Sequence, residues 1–93
     1  MPAAMIAEWL KMDGEQLVQS LREAAQKLDF ANHEMVLDFS CVRRIDAAAL
    51  TEMETLAAIA EDKAIKIGLR SVNVDVYRVL KLVKLAPRFS FLT

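Results

Sequence analysis

The 93-residue sequence holds a single cysteine, Cys41. No disulfide can form within the chain, and no cysteine-rich metal site can be built. Glycine and proline are nearly as scarce, with two of each. Gly14, Gly68, Pro2 and Pro87 are too few for a linker or a low-complexity segment. An apolar share of 55% argues against disorder. Even so, no run approaches about 18 consecutive apolar residues, so nothing reads as a membrane-spanning helix. An excess of charge is missing too. Twelve basic residues face thirteen acidic ones, for a net charge of −1. That balance supplies no global attraction to nucleic acid, which is not an expected partner. Met1 to Leu10 is apolar but includes Glu8 and no basic group, unlike a secretory leader. A cytoplasmic location is expected.

The catalytic inventory is equally thin. His33 is the one histidine. There is no Ser/His/Asp set, no pair of carboxylates at acid/base spacing and no Gly-rich phosphate loop. No enzymatic activity, metal or cofactor is expected. His33 sits alone in a polar stretch and reads as neither ligand nor catalyst. Cys41, between Ser40 and Val42 in an apolar run, reads as a small buried hydrophobe.

What is present is a regular alternation of short elements. The length suits one domain spanning residues 1–93. Met5 to Met12 reads as a short strand, with a helical turn as the alternative. Asp13-Gly14 then breaks the chain. Leu17, Val18, Leu21, Ala25 and Leu28 fall on one stripe of a helix over 15–28, with Asp13 placed to accept its first amides. Residues 35–40 form a nearly continuous apolar run, as in a strand covered on both faces. Asp46 is a strong N-cap for an alanine-rich helix over 47–62, in which Leu50, Met53, Leu56, Ala57 and Ala60 make the inner stripe. A strand over 64–69 follows. Asn73 caps the next helix, with Asp75 in its first turn and Val76, Tyr77, Leu80 and Val83 at helical spacing. Pro87 stops that helix, and Phe89 and Phe91 flank Ser90 in a last strand over 88–92. Strands alternating with helices predict an α/β sheet with helices packed on it. Right-handed crossovers make the strands at 35–40, 64–69 and 88–92 parallel. The functional edge of such a sheet lies at the carboxyl ends of its strands, here the turn from Ser40 to Asp46.

Leu37 to Leu50 reads LDFSCVRRIDAAAL. This stretch resembles the signature of STAS domains, the anti-sigma factor antagonist fold: a strand ending Asp-aliphatic-Ser, a short link, then Asp-Ser-Ser-Gly-Leu opening a helix. Lys66 to Leu69 resembles the family's second inner strand. Asp75 to Leu82 resembles its last helix, and Phe89 and Phe91 its closing aromatic strand. The resemblance covers residues 15–92. It implies a mixed four-stranded sheet with about three helices and a shortened N-terminal strand region. The family begins with a two-stranded hairpin, and only about one strand fits before Asp13. The glycine usual near Lys84 is also missing, which puts the left-handed helix cap there in question.

In anti-sigma factor antagonists the first serine after that aspartate is phosphorylated by a kinase that is also the anti-sigma factor. Here the box reads Asp46-Ala47-Ala48-Ala49-Leu50. Ala47 stands at the phosphoacceptor position and has no hydroxyl. The resemblance therefore implies a protein-binding module locked in an unphosphorylated-like state. Its partner-binding residues are Arg43, Arg44, Asp46, Ala47, Ala48, Ala49, Leu50 and Thr51, supported by Asp38 and Ser40. The expected partner is an anti-sigma factor or kinase-like protein. The alternative is the ATPase of a lipid-transport ABC importer, with this chain as its accessory STAS subunit. Residues 63–93 carry seven basic groups against one acid, Asp75, which slightly favours that alternative and suits an acidic partner, a nucleotide or an anionic lipid. An unpaired edge at the shortened start invites a homodimer.

Overall fold

The computed structural model describes residues 8–31 and 33–92. Strands β1 (Glu8–Lys11), β2 (Glu34–Asp38), β3 (Lys66–Arg70) and β4 (Ser90–Leu92) alternate with helices α1 (Leu17–Lys27), α2 (Ala47–Asp62) and α3 (Val74–Leu82). Single 3-10 turns follow α1 at Leu28–Phe30 and precede β4 at Ala86–Arg88.

The sheet order is β1-β2-β3-β4, and every pair of neighbours is parallel. The α/β expectation with three helices is met. The expected mixed sheet is corrected to a parallel one among the described residues. The reason is that α1 lies between β1 and β2, and a helical crossover returns the chain in the same direction, where a hairpin would reverse it. Of the segment expected as strand from Met5, residues 5–7 lie outside the described residues. Strands added always on the same side, through right-handed crossovers, bring successive helices to one face of the sheet.

That face is the core. Cross-strand register aligns Leu10, Leu37, Leu69 and Phe91 in one row and Met35 with Ile67 in the next. These residues belong to one apolar cluster with Leu21, Leu28, Met53, Leu56, Val76 and Leu80. The other face carries Trp9, Val36 and Gly68 in register. There the Arg70 guanidinium lies 5.3 Å from the Trp9 ring centroid. Gly68 leaves room for Leu92: a Cβ at Gly68 would stand 2.9 Å from the Leu92 Cδ1.

The helices bury narrower faces than hydrophobic spacing suggests. In α1, Ala24 is buried with Leu17 and Leu21, while Val18 and Ala25 are half-buried. In α2, Ala49 takes the inner place expected of Leu50, which is half-buried. In α3 only Val76 and Leu80 are buried, and Tyr77 and Val83 face outward. Cys41 is also a correction, since its thiol is exposed. β2 ends at Asp38, and the turn closed by the Val42 N–H to Phe39 carbonyl bond (2.9 Å) sends Val42 inward in place of Cys41. Gly14 explains why that turn can sit so low. A Cβ there would run into the Cys41 carbonyl oxygen, so only glycine allows this approach.

Strands β3 and β4 each start two residues after the sequence pattern suggests: before β3 the chain is closing α2, and before β4 it completes the 3-10 turn at Ala86–Arg88. α2 ends with Ala64 at φ 57° and α3 with Lys84 at φ 64°. In each case the next amide reaches back into the last turn: Ile65 to the Ala60 carbonyl, and Leu85 to the Leu80 carbonyl, both at 2.8 Å. The left-handed residues themselves bond to Glu61 (3.2 Å) and Lys81 (3.1 Å). These are Schellman closures made without glycine. The left-handed cap therefore forms near Lys84 even though the family's glycine is absent.

A side chain in the left-handed region costs about 1–2 kcal/mol, of which glycine's looser unfolded state offsets about 0.4–1. Ala64→Gly and Lys84→Gly should each therefore raise stability by about 0.5–1 kcal/mol, read as a higher urea midpoint. A lower midpoint would contradict the left-handed closures.

Candidate functional site

The carboxyl ends of β1 and β2 lead into two loops that meet at one rim. Asp13 organises the first. Its Oδ1 accepts from the Glu15 amide at 2.9 Å and the Gln16 amide at 3.3 Å. The helix proper begins only at Leu17, so Asp13 orders the lead-in turn one step ahead of the position expected for it. The second loop is anchored at its start by Asp38, whose Oδ1 accepts from the Ser40 amide at 2.9 Å. That amide, with the Ser40 side chain, lowers the Asp38 carboxyl from its ordinary value; burial opposes this to a lesser degree, and Lys11 and Arg70 on either side add smaller favourable effects. This bond brings Asp38 and Ser40 together at the start of the loop.

The loop ends in a cap. Asp46 is extended (φ −102°, ψ 179°), and its Oδ1 accepts from the Ala49 amide at 2.9 Å. Such a cap contributes about 0.5–2 kcal/mol. Helix geometry leaves the first amides of α2 without intrahelical acceptors. Ala47 and Ala48 are exposed there and present only methyl groups to solvent. Ala49 is 1% exposed and cannot meet a partner. Its place among the contact residues is corrected, because the turn that aims Ala47 and Ala48 outward aims the third alanine at the core. Leu50 is half-buried, and Thr51 is exposed with its hydroxyl donating to the Ala47 carbonyl at 3.1 Å. Arg43 and Arg44 are both exposed beside the tip.

The sequence did not single out Asn73 for this rim beyond its capping role. Its Oδ1 accepts from the Val76 amide at 2.7 Å and caps α3. Its Nδ2 donates to the Val42 carbonyl at 3.2 Å and the Arg43 carbonyl at 3.1 Å. One amide side chain therefore ties the α3 start to the loop that carries the arginines. The choice of asparagine over aspartate or serine was the available signal, because its amide offers two donor hydrogens beside an acceptor oxygen, where aspartate only accepts and a serine hydroxyl has one hydrogen to give.

Two shallow grooves flank the tip. One, of about 400 Å³, runs between the starts of α1 and α2 and is walled by Glu15, Leu17, Arg44 and Asp46. The other, of about 520 Å³, lies over Asp13, Cys41, Arg43 and Arg44. Both are open to solvent. Among the described residues no three His, Cys, Asp or Glu side chains gather as metal ligands would, and no helix is long and apolar enough to cross a membrane. His33 lies far from this rim, at the opposite end of β2, where its carbonyl accepts from the Lys66 amide at 2.9 Å.

The backbone arrangement has a close counterpart among solved structures. The NMR structure of the protein TM1081 superposes with a TM-score of 0.73 at 20% identity, covering 90% of this chain and 71% of that one. A crystal structure from Thermotoga maritima, of a protein provisionally named an anti-sigma factor antagonist (tm1081), gives 0.66 at 20% identity, covering 94% and 74%. The fold is STAS-like. No family model matches the sequence, and no curated protein matches it. At this identity the likeness concerns the path of the chain.

Two outcomes test the loop's anchors. Asn73→Asp keeps an acceptor for the Val76 amide and loses both donors. Amide exchange across residues 42–46 should quicken while α3 stays protected, and equal protection in both proteins would remove Asn73 from this role. Asp38 has a depressed carboxyl, so its stabilisation is complete above the unfolded pKa and is lost as pH falls through the lower folded value. Thermal melts of the parent and Asp38→Asn should therefore differ most at neutral pH and converge in acid.

Proposed function

We propose that residues 1–93 form one non-catalytic protein-interaction module of the STAS, anti-sigma factor antagonist type, acting in the cytoplasm. The α2 tip is its docking spot. Arg43, Arg44, Asp46, Ala47, Ala48 and Thr51 meet the partner, with Leu50 at the margin. Ala47 occupies the phosphoacceptor position of the family, so the module is not switched by phosphorylation there. The partner is an anti-sigma factor or kinase-like protein.

One observation carries this reading: the capped start of α2 stands exposed with methyl groups where a regulated relative would carry hydroxyls. A helix N-terminus favours negative charge. A phosphate would add about −1.5 to −2 charges there at pH 7, altering partner affinity without refolding the domain. With alanine at the site, affinity is constant. The STAS-like fold, shared with a protein provisionally named an anti-sigma factor antagonist, supports the same class of role.

The test is affinity capture from the native host with the parent chain and with Ala47→Glu. The parent should retain an anti-sigma-type kinase. Ala47→Glu should lose it while melting no earlier, because a carboxylate suits a helix start. Ala47→Ser should become a substrate of that kinase. Retention of the same partner by Ala47→Glu would place the docking spot elsewhere, and capture of a transport ATPase would favour the importer subunit.

A further inference from the structure

Helix α3 presents a second surface that the α2 tip does not explain. Val76 and Leu80 point into the core. At 3.6 residues per turn the line opposite them is Val74, Arg78 and Leu82. Val74 is 63% exposed and Leu82 is 81% exposed. They stand roughly 12 Å apart along the helix axis, with Arg78 midway along the helix between them and Lys81 alongside.

Salt bridges sharpen the charge of this ridge. Of the seven basic residues in 63–93, Lys63 pairs with Asp29 at 2.9 Å and Arg88 with Glu61 at 2.9 Å, and Arg70 lies over Trp9. The other four, Lys66 on β3 and Arg78, Lys81 and Lys84 on or just after α3, form no salt bridge with any described residue. The one acid on α3, Asp75, flanks the ridge on the side opposite Lys81, so Arg78, Lys81 and Lys84 outnumber it three to one. Two bare apolar side chains bracketing a free cation, with further cations beside them, match an apolar surface interrupted by carboxylates.

We propose that the α3 ridge docks an acidic amphipathic helix of a partner protein, with apolar side chains seated on Val74 and Leu82 and carboxylates on Arg78 and Lys81. This surface is independent of the α2 tip. Charge selects the occupant. In a second copy of this chain, a two-fold pairing centred on the ridge, the arrangement that sets Val74 against Leu82, would set Arg78 against its own mate, and like charges across an interface are strongly disfavoured. An anionic membrane would need a broader apolar face, and here Val76 and Leu80 are turned inward.

The experiment titrates the isotopically labelled full chain with a synthetic Leu/Glu amphipathic helical peptide, and with the same peptide carrying Gln in place of Glu. The acidic peptide should bind more tightly. Amide shifts should gather on residues 74–84, and the affinity should fall with added salt. Leu82→Ser and Arg78→Glu, both changes at exposed positions, should each weaken binding by about tenfold. Ala47→Glu should leave it unaltered, so failure here and failure at the α2 tip are read separately. Equal binding of the two peptides, shifts elsewhere, or full affinity in Leu82→Ser would overturn the proposal. It would also be overturned by Leu82-dependent dimerisation in sedimentation, or by Leu82-dependent binding to phosphatidylglycerol vesicles without peptide binding.

Discussion

All four strands run the same way and are laid down in chain order, and this one constraint organises the molecule. Each return to the starting end requires a helix, and each right-handed return lands on the same face. The helices therefore share a layer, and α1 and α2 pack against each other as well as against the sheet. The loops that follow β1, β2 and β3 all emerge at the carboxyl rim. A helix starts from each of them. The Asp38 turn, the Asp46 cap and the Asn73 bridge lie within a few residues of that rim for topological reasons, and side-chain chemistry then refines their arrangement.

The refinement relies on few polar groups. No buried polar or charged residue appears among the described residues. Short side chains at the rim instead satisfy backbone groups that helix and strand ends leave open. Asp13, Asp38, Asp46 and Asn73 each accept from an amide two or three residues ahead. Such local bonds set loop geometry without demanding a polar core, which suits a domain of this size, where the apolar interior must supply most of the stability.

Much of this was legible in the residues. The Asp46 and Asn73 caps, the Asp75 first-turn acid and the parallel order of the last three strands follow from pattern alone. The STAS-like architecture was legible through resemblance, because LDFSCVRRIDAAAL, the strand at Lys66 to Leu69, the helix at Asp75 to Leu82 and the aromatic end at Phe89 and Phe91 follow the family's motifs in order. Side-chain facing was harder. Cys41 sits in an apolar run, yet the chain turns just before it, and hydropathy carries no information on where a strand ends. Ala49 looks like its two neighbours in sequence, and only helix phase separates it from them. The direction of β1 could not be read because it depends on a crossover, whereas the family pattern brings in a hairpin. Lys84 and Ala64 adopt left-handed conformations that their residue types do not advertise.

The stacking of Arg70 on Trp9 has an optical consequence. Trp9 is the sole tryptophan, and it sits on β1, an outer strand of the sheet, 53% exposed and on the face away from the helices. Indole fluorescence in this protein thus reports on the seating of one marginal strand and on the cation above it, while the hydrophobic interior stays silent at that wavelength. Detachment of β1 and melting of the core can be followed as separate signals from the unlabelled chain.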